Sequence, residues 1–391
     1  MTMSEGKGID FLVDFWEEKY LREFVGNGGS KIKFVTGRKG SGKTFFLNLL
    51  EKAGKENGYK VVRFSAEDIW LHDFKEVYME ILSQSDLEAS LSGCADEIVR
   101  QMGYDPDQIP SGQTFMDYLS SMGQGDALTR RAIRSQLKEL FLNNPLMDNN
   151  FALACSLITG GIIGHPVLEQ GNKELLLGWL SGDKTIKLTT LRQLGLSPAR
   201  ITKVNARHML RSLAEVTRTG GSKGLLVLID DMEILQDRSG NDTIRYTKMR
   251  REDTYESIRQ LIDEIDSLKN IMFVYAFDRI LLDNENAGLK AYQALWMRIQ
   301  NEIRGERFNR FTDIADLDQL AYQEYDVPYL QKISASFSKD GTVLDASYLE
   351  EMVEKSKLGG IGLPAMIRDE VTRCEETGNY ESPVMEGEPM I

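Results

Sequence analysis

Metal-ligating side chains are scarce in this chain: among 391 residues there are only three cysteines and three histidines. Cys94, Cys155 and Cys374 stand far apart, with neither the spacing of a zinc site nor that of a disulfide framework. Both stabilising devices are therefore set aside, and a reducing, cytoplasmic setting is expected. Long hydrophobic runs are missing too. A membrane-spanning helix needs about 20 apolar residues. The longest apolar stretch, FALACSLITGGIIG (151–164), is shorter and rich in glycine, and reads as a buried helix and turn. The opening MTMSEGKG has no apolar core of signal-peptide type. Positive charge is also in deficit: 47 Lys and Arg face 60 Asp and Glu, for a net −13 and a pI near 5.0. The surface as a whole repels nucleic acid, so any such contact must come from a local basic patch or from a partner. What remains is ordinary for a globular protein, 41% apolar and 27% charged. The length suffices for two or three domains.

Against this background one segment stands out. Residues 37–44 read GRKGSGKT, a full match to G-x-x-x-x-G-K-[ST]. The apolar KIKFV (31–35) leads in and FFLNLLEKAGK (45–55) follows with helical spacing, which is the strand–loop–helix context the pattern requires. Gly37, Gly40 and Gly42 let backbone N–H groups turn inward onto a polyphosphate, with Arg38, Lys39, Ser41 and Phe45 completing the cradle. Lys43 is placed to meet the β- and γ-phosphates and Thr44 to hold Mg²⁺, while the helix start adds its positive dipole end. A nucleoside triphosphate, ATP with Mg²⁺, is the expected ligand.

The order of elements suggests an α/β fold: a parallel sheet with helices on both faces. A helical lead-in and the first strands, Lys31–Val35 and Tyr59–Ala66, occupy residues 1–85. Strand signals then stop, and 86–195 reads as a helical insertion with helices near 95–103, 114–122, 126–142 and 172–180. Residues 196–317 resume the nucleotide domain with a helix over 204–217 and strands at Gly224–Asp230, Ile271–Phe277 and Arg310–Leu317. Amphipathic helices are expected at Ser257–Leu268 and Lys290–Ile303. Residues 318–378 read as a C-terminal helical or winged-helix domain, and 379–391 as a disordered tail.

The strand LLVLID ends on Asp230, whose carboxylate is suited to hold Mg²⁺ together with Thr44. An acid that orients the attacking water is expected beside it. Asp231 occupies that place, and Glu233 is a longer alternative two residues on. Asp278, at the tip of the next strand, is placed to read the γ-phosphate or position water. Arg298, Arg304, Arg307 and Arg310 are candidates to reach a neighbouring subunit's nucleotide, which implies a homo-oligomer. A polar, basic loop, Arg238 to Arg251, is a candidate for phosphate or nucleic-acid contact, for a solvated surface, or for an acidic neighbour. The helix 126–142 carries a second basic face, Arg130, Arg131, Arg134 and Lys138, read as solvated surface.

FVTGRKGSGKTFFL, the WLSGD turn (179–183), GLLVLIDDMEIL, ESIRQLIDEIDS and GGIGLPAMIRDEV resemble, in the same order, the ATPase subunits of BREX-type phage-exclusion systems, the BrxC/BrxD-like P-loop ATPases. The resemblance runs from about residue 20 to about 375. It implies an AAA+-like fold of the origin-recognition type with a C-terminal helical lid or winged-helix domain. It also implies oligomers with ATP at subunit interfaces, and defence against invading DNA alongside other proteins of the system. Two departures touch hydrolysis. The family's acidic pair is usually Asp-Glu, whereas here it is Asp230-Asp231. The family's lid arginine directly follows the proline, whereas here Ala365 follows Pro364 and the nearest arginine is Arg368. Two functions remain open: an oligomeric, hydrolysing ATPase that regulates a DNA-acting partner, and a non-hydrolysing, nucleotide-gated scaffold. A small-molecule kinase fits less well, because about a hundred residues are spent on the insertion.

Overall fold

The computed structural model describes residues 7–236, 244–300, 308–339, 341 and 343–377. Five strands, β1 (Ser30–Gly37), β2 (Lys60–Ser65), β3 (Leu225–Asp230), β4 (Ile271–Asp278) and β5 (Ile314–Asp316), form one all-parallel sheet in the order β2-β3-β4-β1-β5. The sheet is buried on both faces, which is why its strands are continuous apolar runs rather than alternating ones. Along β3, Leu225, Val227 and Ile229 enter the core on one face and Leu226 and Leu228 the core on the other.

Among the described residues the helices run α1 (Ile9–Trp16), α2 (Lys43–Glu56), α3 (Phe74–Ser85), α4 (Leu87–Gln101), α5 (Phe115–Ser121), α6 (Ala127–Leu137) and α7 (Asn149–Ile163). Then follow α8 (Gln170–Leu180), α9 (Leu188–Gln193), α10 (Ala206–Thr219), α11 (Lys248–Glu264), α12 (Arg279–Asp283) and α13 (Gln293–Ile299). The C-terminal set is α14 (Leu317–Glu324), α15 (Val327–Phe337), α16 (Ala346–Leu358) and α17 (Leu363–Thr377), with no strand among its described residues. Helices α1 and α2 cover one sheet face. Helices α3, α10 and α11 cover the other, and α4 to α9 extend that same core outward instead of building one of their own.

Local chemistry explains the differences from the expected boundaries. Helix α11 begins nine residues before Ser257, because Thr247 caps it by accepting the Arg250 N–H at 3.3 Å. Lys248, Arg250 and Arg251 thus belong to a helix rather than a loop. Asp86 caps α4, which begins eight residues before the expected start. Strand β5 is three residues long, not eight. Arg238 to Thr243, Asn301 to Ile303, Arg304, Arg307 and the tail from 379 lie outside the described residues.

The sheet carries one unexpected residue. Lys33 in β1 is fully buried. Its ammonium donates to the carbonyls of Phe311 (3.0 Å) and Thr312 (2.7 Å) and lies 4.3 Å from the centre of the Tyr20 ring. It thereby ties the chain leading into β5 to β1. Burial lowers its pKa from 10.5 to about 7. The folded state therefore binds fewer protons than the unfolded chain between those values, so this group favours folding increasingly as pH rises above 7. From pH 7 to 9 the wild type should gain on the order of 1 kcal/mol more stability than Lys33→Met. Urea denaturation of both at the two pH values measures it, and parallel pH profiles would contradict it.

Candidate functional site

Parallel register sets the site. Gly37 of β1 lies opposite Asp278 of β4, and Ser65 of β2 opposite Asp230 of β3, so the carboxyl ends of four strands line up beside the glycine loop. Ligands of open α/β sheets gather at this edge.

Gly40 and Gly42 have φ of +77° and +98°, a region that side-chain-bearing residues rarely adopt. The turn they make delivers α2 with Gly42 as its cap, and no side chain bonds the helix's first N–H groups. The Ser41 hydroxyl beside them is buried without a hydrogen-bond partner. A run of unclaimed donors at a helix start is an anion site. Lys43 Nζ donates to the carbonyls of Gly37 (2.9 Å) and Arg38 (3.3 Å) and lies 3.6 Å from the Asp278 carboxylate. Its charge is thus held at the loop by weak acceptors that a phosphate can replace.

Thr44 Oγ1 donates to Asp230 Oδ2 at 3.4 Å. Burial raises the Asp230 pKa, the neighbouring Asp231 charge adds to this, and Arg63 and Lys43 oppose it. These two hard-oxygen groups fit Mg²⁺. Among the described residues no group of three or more His, Cys, Asp or Glu could hold a metal ion. The fit is therefore to a cation that shares its shell with substrate phosphates, as Mg²⁺ commonly does.

The two acids offered for water activation separate in space. Asp231 sits at φ +59° and its Oδ2 accepts from Ser65 Oγ at 2.8 Å, on the β2 side of β3. Glu233 turns to the other side, where its Oε2 accepts the Asp278 N–H at 2.9 Å. Burial raises the Glu233 pKa, and the Lys43 charge is among the influences that lower it. Glu233, Asp278 and Lys43 therefore share one corner, and Asp231 faces away from it.

Other expected residues are placed differently. The Arg38 side chain points to α14, donating from Nε to Asp318 Oδ2 (3.1 Å) and also to the Gly359 carbonyl. Arg298 is held in its own chain by Asp263, at 3.0 Å from Nη2. The Arg310 guanidinium lies 4.5 Å from the centre of the Phe15 ring. Sequence reasoning missed Arg63, whose Nη2 lies 3.4 Å from Asp230 Oδ2 and whose Nη1 lies 3.4 Å from Glu51. An arginine inside the apolar run YKVVRFSA was the available signal.

The C-terminal helices close over the loop. Gly362 N–H donates to the Lys39 carbonyl (2.9 Å) and Ala365 N–H to that of Gly40 (3.2 Å). A Cβ on Gly362 would stand 2.5 Å from Ser41 N, and one on Gly40 2.3 Å from the Ala365 Cβ. Ala365 thus packs on the loop backbone, while Arg368 lines the cavity beside it. That cavity, about 480 Å³, runs from Lys43, Thr44 and Phe45 to Ile9, Tyr325, Tyr329 and Phe337. Its aromatic lining was not anticipated. Wider grooves of about 620 and 770 Å³ lie among the outer helices, away from the loop.

An all-parallel sheet with β4 between the loop strand and the Asp230 strand, and a glycine loop opening α2, defines a P-loop NTPase fold. Within that class, the family model of the BREX system ATP-binding protein BrxC/D matches residues 19–362, and the chain belongs to this family. No curated protein matches the chain. None of the described helices is long and apolar enough to cross a membrane.

The contact between loop and lid gives a direct test. Gly362→Val forces its side chain against Ser41 backbone, which costs about 1–3 kcal/mol if the lid keeps its seat. A lower melting temperature, or faster proteolysis within 317–377 with the sheet intact, is the expected result; a variant indistinguishable from wild type on both would refute the tight seat.

Proposed function

We propose that the chain binds ATP with its triphosphate on the 37–44 loop and its base in the aromatic cavity, and that it hydrolyses this ATP. The observation carrying the proposal is the convergence of Lys43, Thr44, Asp230, Glu233 and Asp278 on one edge, beside a cavity of about 480 Å³ lined by Tyr325, Tyr329 and Phe337. Planar aromatic faces suit a purine, and the volume lies within the usual range for small-molecule sites.

In this reading the loop N–H groups and the Ser41 hydroxyl bind the phosphates, and Lys43 exchanges loop carbonyls for the β/γ oxygens. Mg²⁺, held by Thr44 and Asp230, would supply Lewis-acid charge neutralisation at those oxygens. Glu233 accepts the proton of the attacking water, and the raised pKa that burial imposes makes its carboxylate a better base than an exposed glutamate. Asp278 holds that water in line. The α17 seat on Lys39 and Gly40 links phosphate occupancy to the lid, so the bound state can be passed to other proteins of the defence system and to a DNA-acting partner. Arginines of a second copy, Arg298 among them once released from Asp263, would complete charge neutralisation in an oligomer. The setting is the cytoplasm.

A second reading, a nucleotide-gated scaffold without hydrolysis, is favoured by Asp231 facing Ser65 rather than the loop. Two measurements separate the readings. Lys43→Ala should abolish the heat of ATP binding in titration calorimetry. Glu233→Gln should retain that heat but lower turnover by 10²-fold or more. No turnover in wild type, alone or with DNA, supports the scaffold. Unchanged ATP binding by Lys43→Ala would defeat both readings.

A further inference from the structure

We propose that the outer face of the helical layer between β2 and β3 is a binding surface for the phosphate backbone of duplex DNA. It takes in two basic groups, one on α6 and one from Lys184 to the start of α11.

The charge of the chain is segregated. Residues 126–212, from the cap of α6 to the middle of α10, hold twelve Lys and Arg against six Asp and Glu, a net of +6 in a chain of net −13. The remaining residues therefore carry −19. In this stretch Lys173 pairs with Glu88 and Arg207 lies 3.9 Å from Glu264. The other ten cations form no ion pair among the described residues. Cations left unpaired in so acidic a protein present a concentrated positive face, and charge asymmetry of this kind is the footprint of a polyanion partner.

The unpaired cations fall into two groups. Helix α6 buries Ile133 and Leu137 and leaves Arg130, Arg131, Arg134 and Lys138 exposed. Arg130, Arg134 and Lys138 are spaced four residues apart, so successive charges rise by about 6 Å along the helix and each can meet a different phosphate. The second group is assembled only by the fold. Arg200 donates to the Lys184 carbonyl at 3.2 Å, which brings those two side chains to one site. Next to them, His72, Lys203 and Arg207 line a cavity of about 330 Å³, which Asp253 and Glu256 also line. Burial lowers the His72 pKa, and Arg250 and Lys203 push the same way while Asp73 and Asp253 oppose them, so both cations stand near that ring among two carboxylates. Arg250 comes from the start of α11 and lies 4.2 Å from the centre of the Trp70 ring. Basic residues more than forty positions apart thus form a single edge.

The occupant follows from what this face lacks. A protein partner of comparable affinity would need a desolvated aromatic or aliphatic centre, and here the exposed apolar side chains, Leu128, Val167, Val204 and Met249, come from four separate segments. Distributed, solvated cations without such a centre are what a phosphate backbone requires, and they read no sequence. The inference is independent of the ATP reading, since none of these residues lines the loop or its cavity.

The test is fluorescence anisotropy of a labelled duplex of about 30 base pairs at about 50 and 200 mM KCl, with the full chain. Wild type should lose at least tenfold in affinity across that range. Arg130→Glu/Arg134→Glu and Arg200→Glu/Lys203→Glu should each weaken binding at least tenfold at low salt and lower the log–log salt slope by about 2. Lys223→Glu/Lys269→Glu, exposed at the opposite end of the sheet, makes the same charge change and should stay within about twofold of wild type. Thermal melts and ATP calorimetry on the same variants report folding and nucleotide binding separately. The proposal is overturned if wild type binds no duplex at low salt with or without ATP, or if the control pair weakens binding as much as the test pairs. Capture of polyglutamate alone, without DNA, overturns it equally.

Discussion

The candidate site depends on one constraint, the parallel register of β3, β4 and β1. Pairing Gly37 with Asp278, and Leu225 with Ile271, brings the ends of three buried strands to a common edge. Each strand then delivers one functional group there without a long loop to position it: Lys43 just past β1, Asp230 at the end of β3 and Asp278 at the end of β4. Because both sheet faces are packed, this edge cannot slide by a residue without moving apolar side chains into the opposite core. Glu233 is held the same way, through the Asp278 N–H at the tip of β4.

Around that edge, charge is balanced internally. Lys43 rests on two loop carbonyls, Arg63 on Asp230 and Glu51, Arg279 on Asp316 at 2.7 Å, and Arg38 on Asp318. Burial raises the pKa of Asp230, Glu233 and Asp316, and the adjacent cations counter it. A triphosphate would recruit only Lys43 from this set, leaving the Arg38–Asp318 and Arg279–Asp316 pairs to hold the lid and β5 in place. On the loop itself the lid is also seated by backbone hydrogen bonds from Gly362 and Ala365, and the close approach there accounts for glycine at 362 and a small residue at 365.

Much of this was legible beforehand, and the exceptions are instructive. Four of the five strands were found within two residues because buried parallel strands are unbroken apolar runs. Strand β5 was overestimated because Arg310 to Asp313 resemble a polar edge strand, yet the Phe311 and Thr312 carbonyls within it turn to Lys33. Helix α11 was started late because its first turn is polar and charged, and only the Thr247 cap marks it. Among the acids, sequence adjacency favoured Asp231, but its left-handed backbone turns the side chain to Ser65. Arg63 and the aromatic cavity were missed because neither forms a local pattern.

The sequence alone determined the glycine loop before α2, the acidic strand end and the layered α/β class. Each rests on a short contiguous stretch whose backbone demands, such as glycine at positive φ before a helix start, are met by neighbouring residues. Only the tertiary structure decided which acid faces the loop, what closes over it and where cations gather. Those depend on side chains from residues 9, 45, 325, 329 and 337, or from 72, 203 and 250. No periodicity links positions so far apart; they meet because one sheet buries both its faces and the lid backbone fits against two glycines.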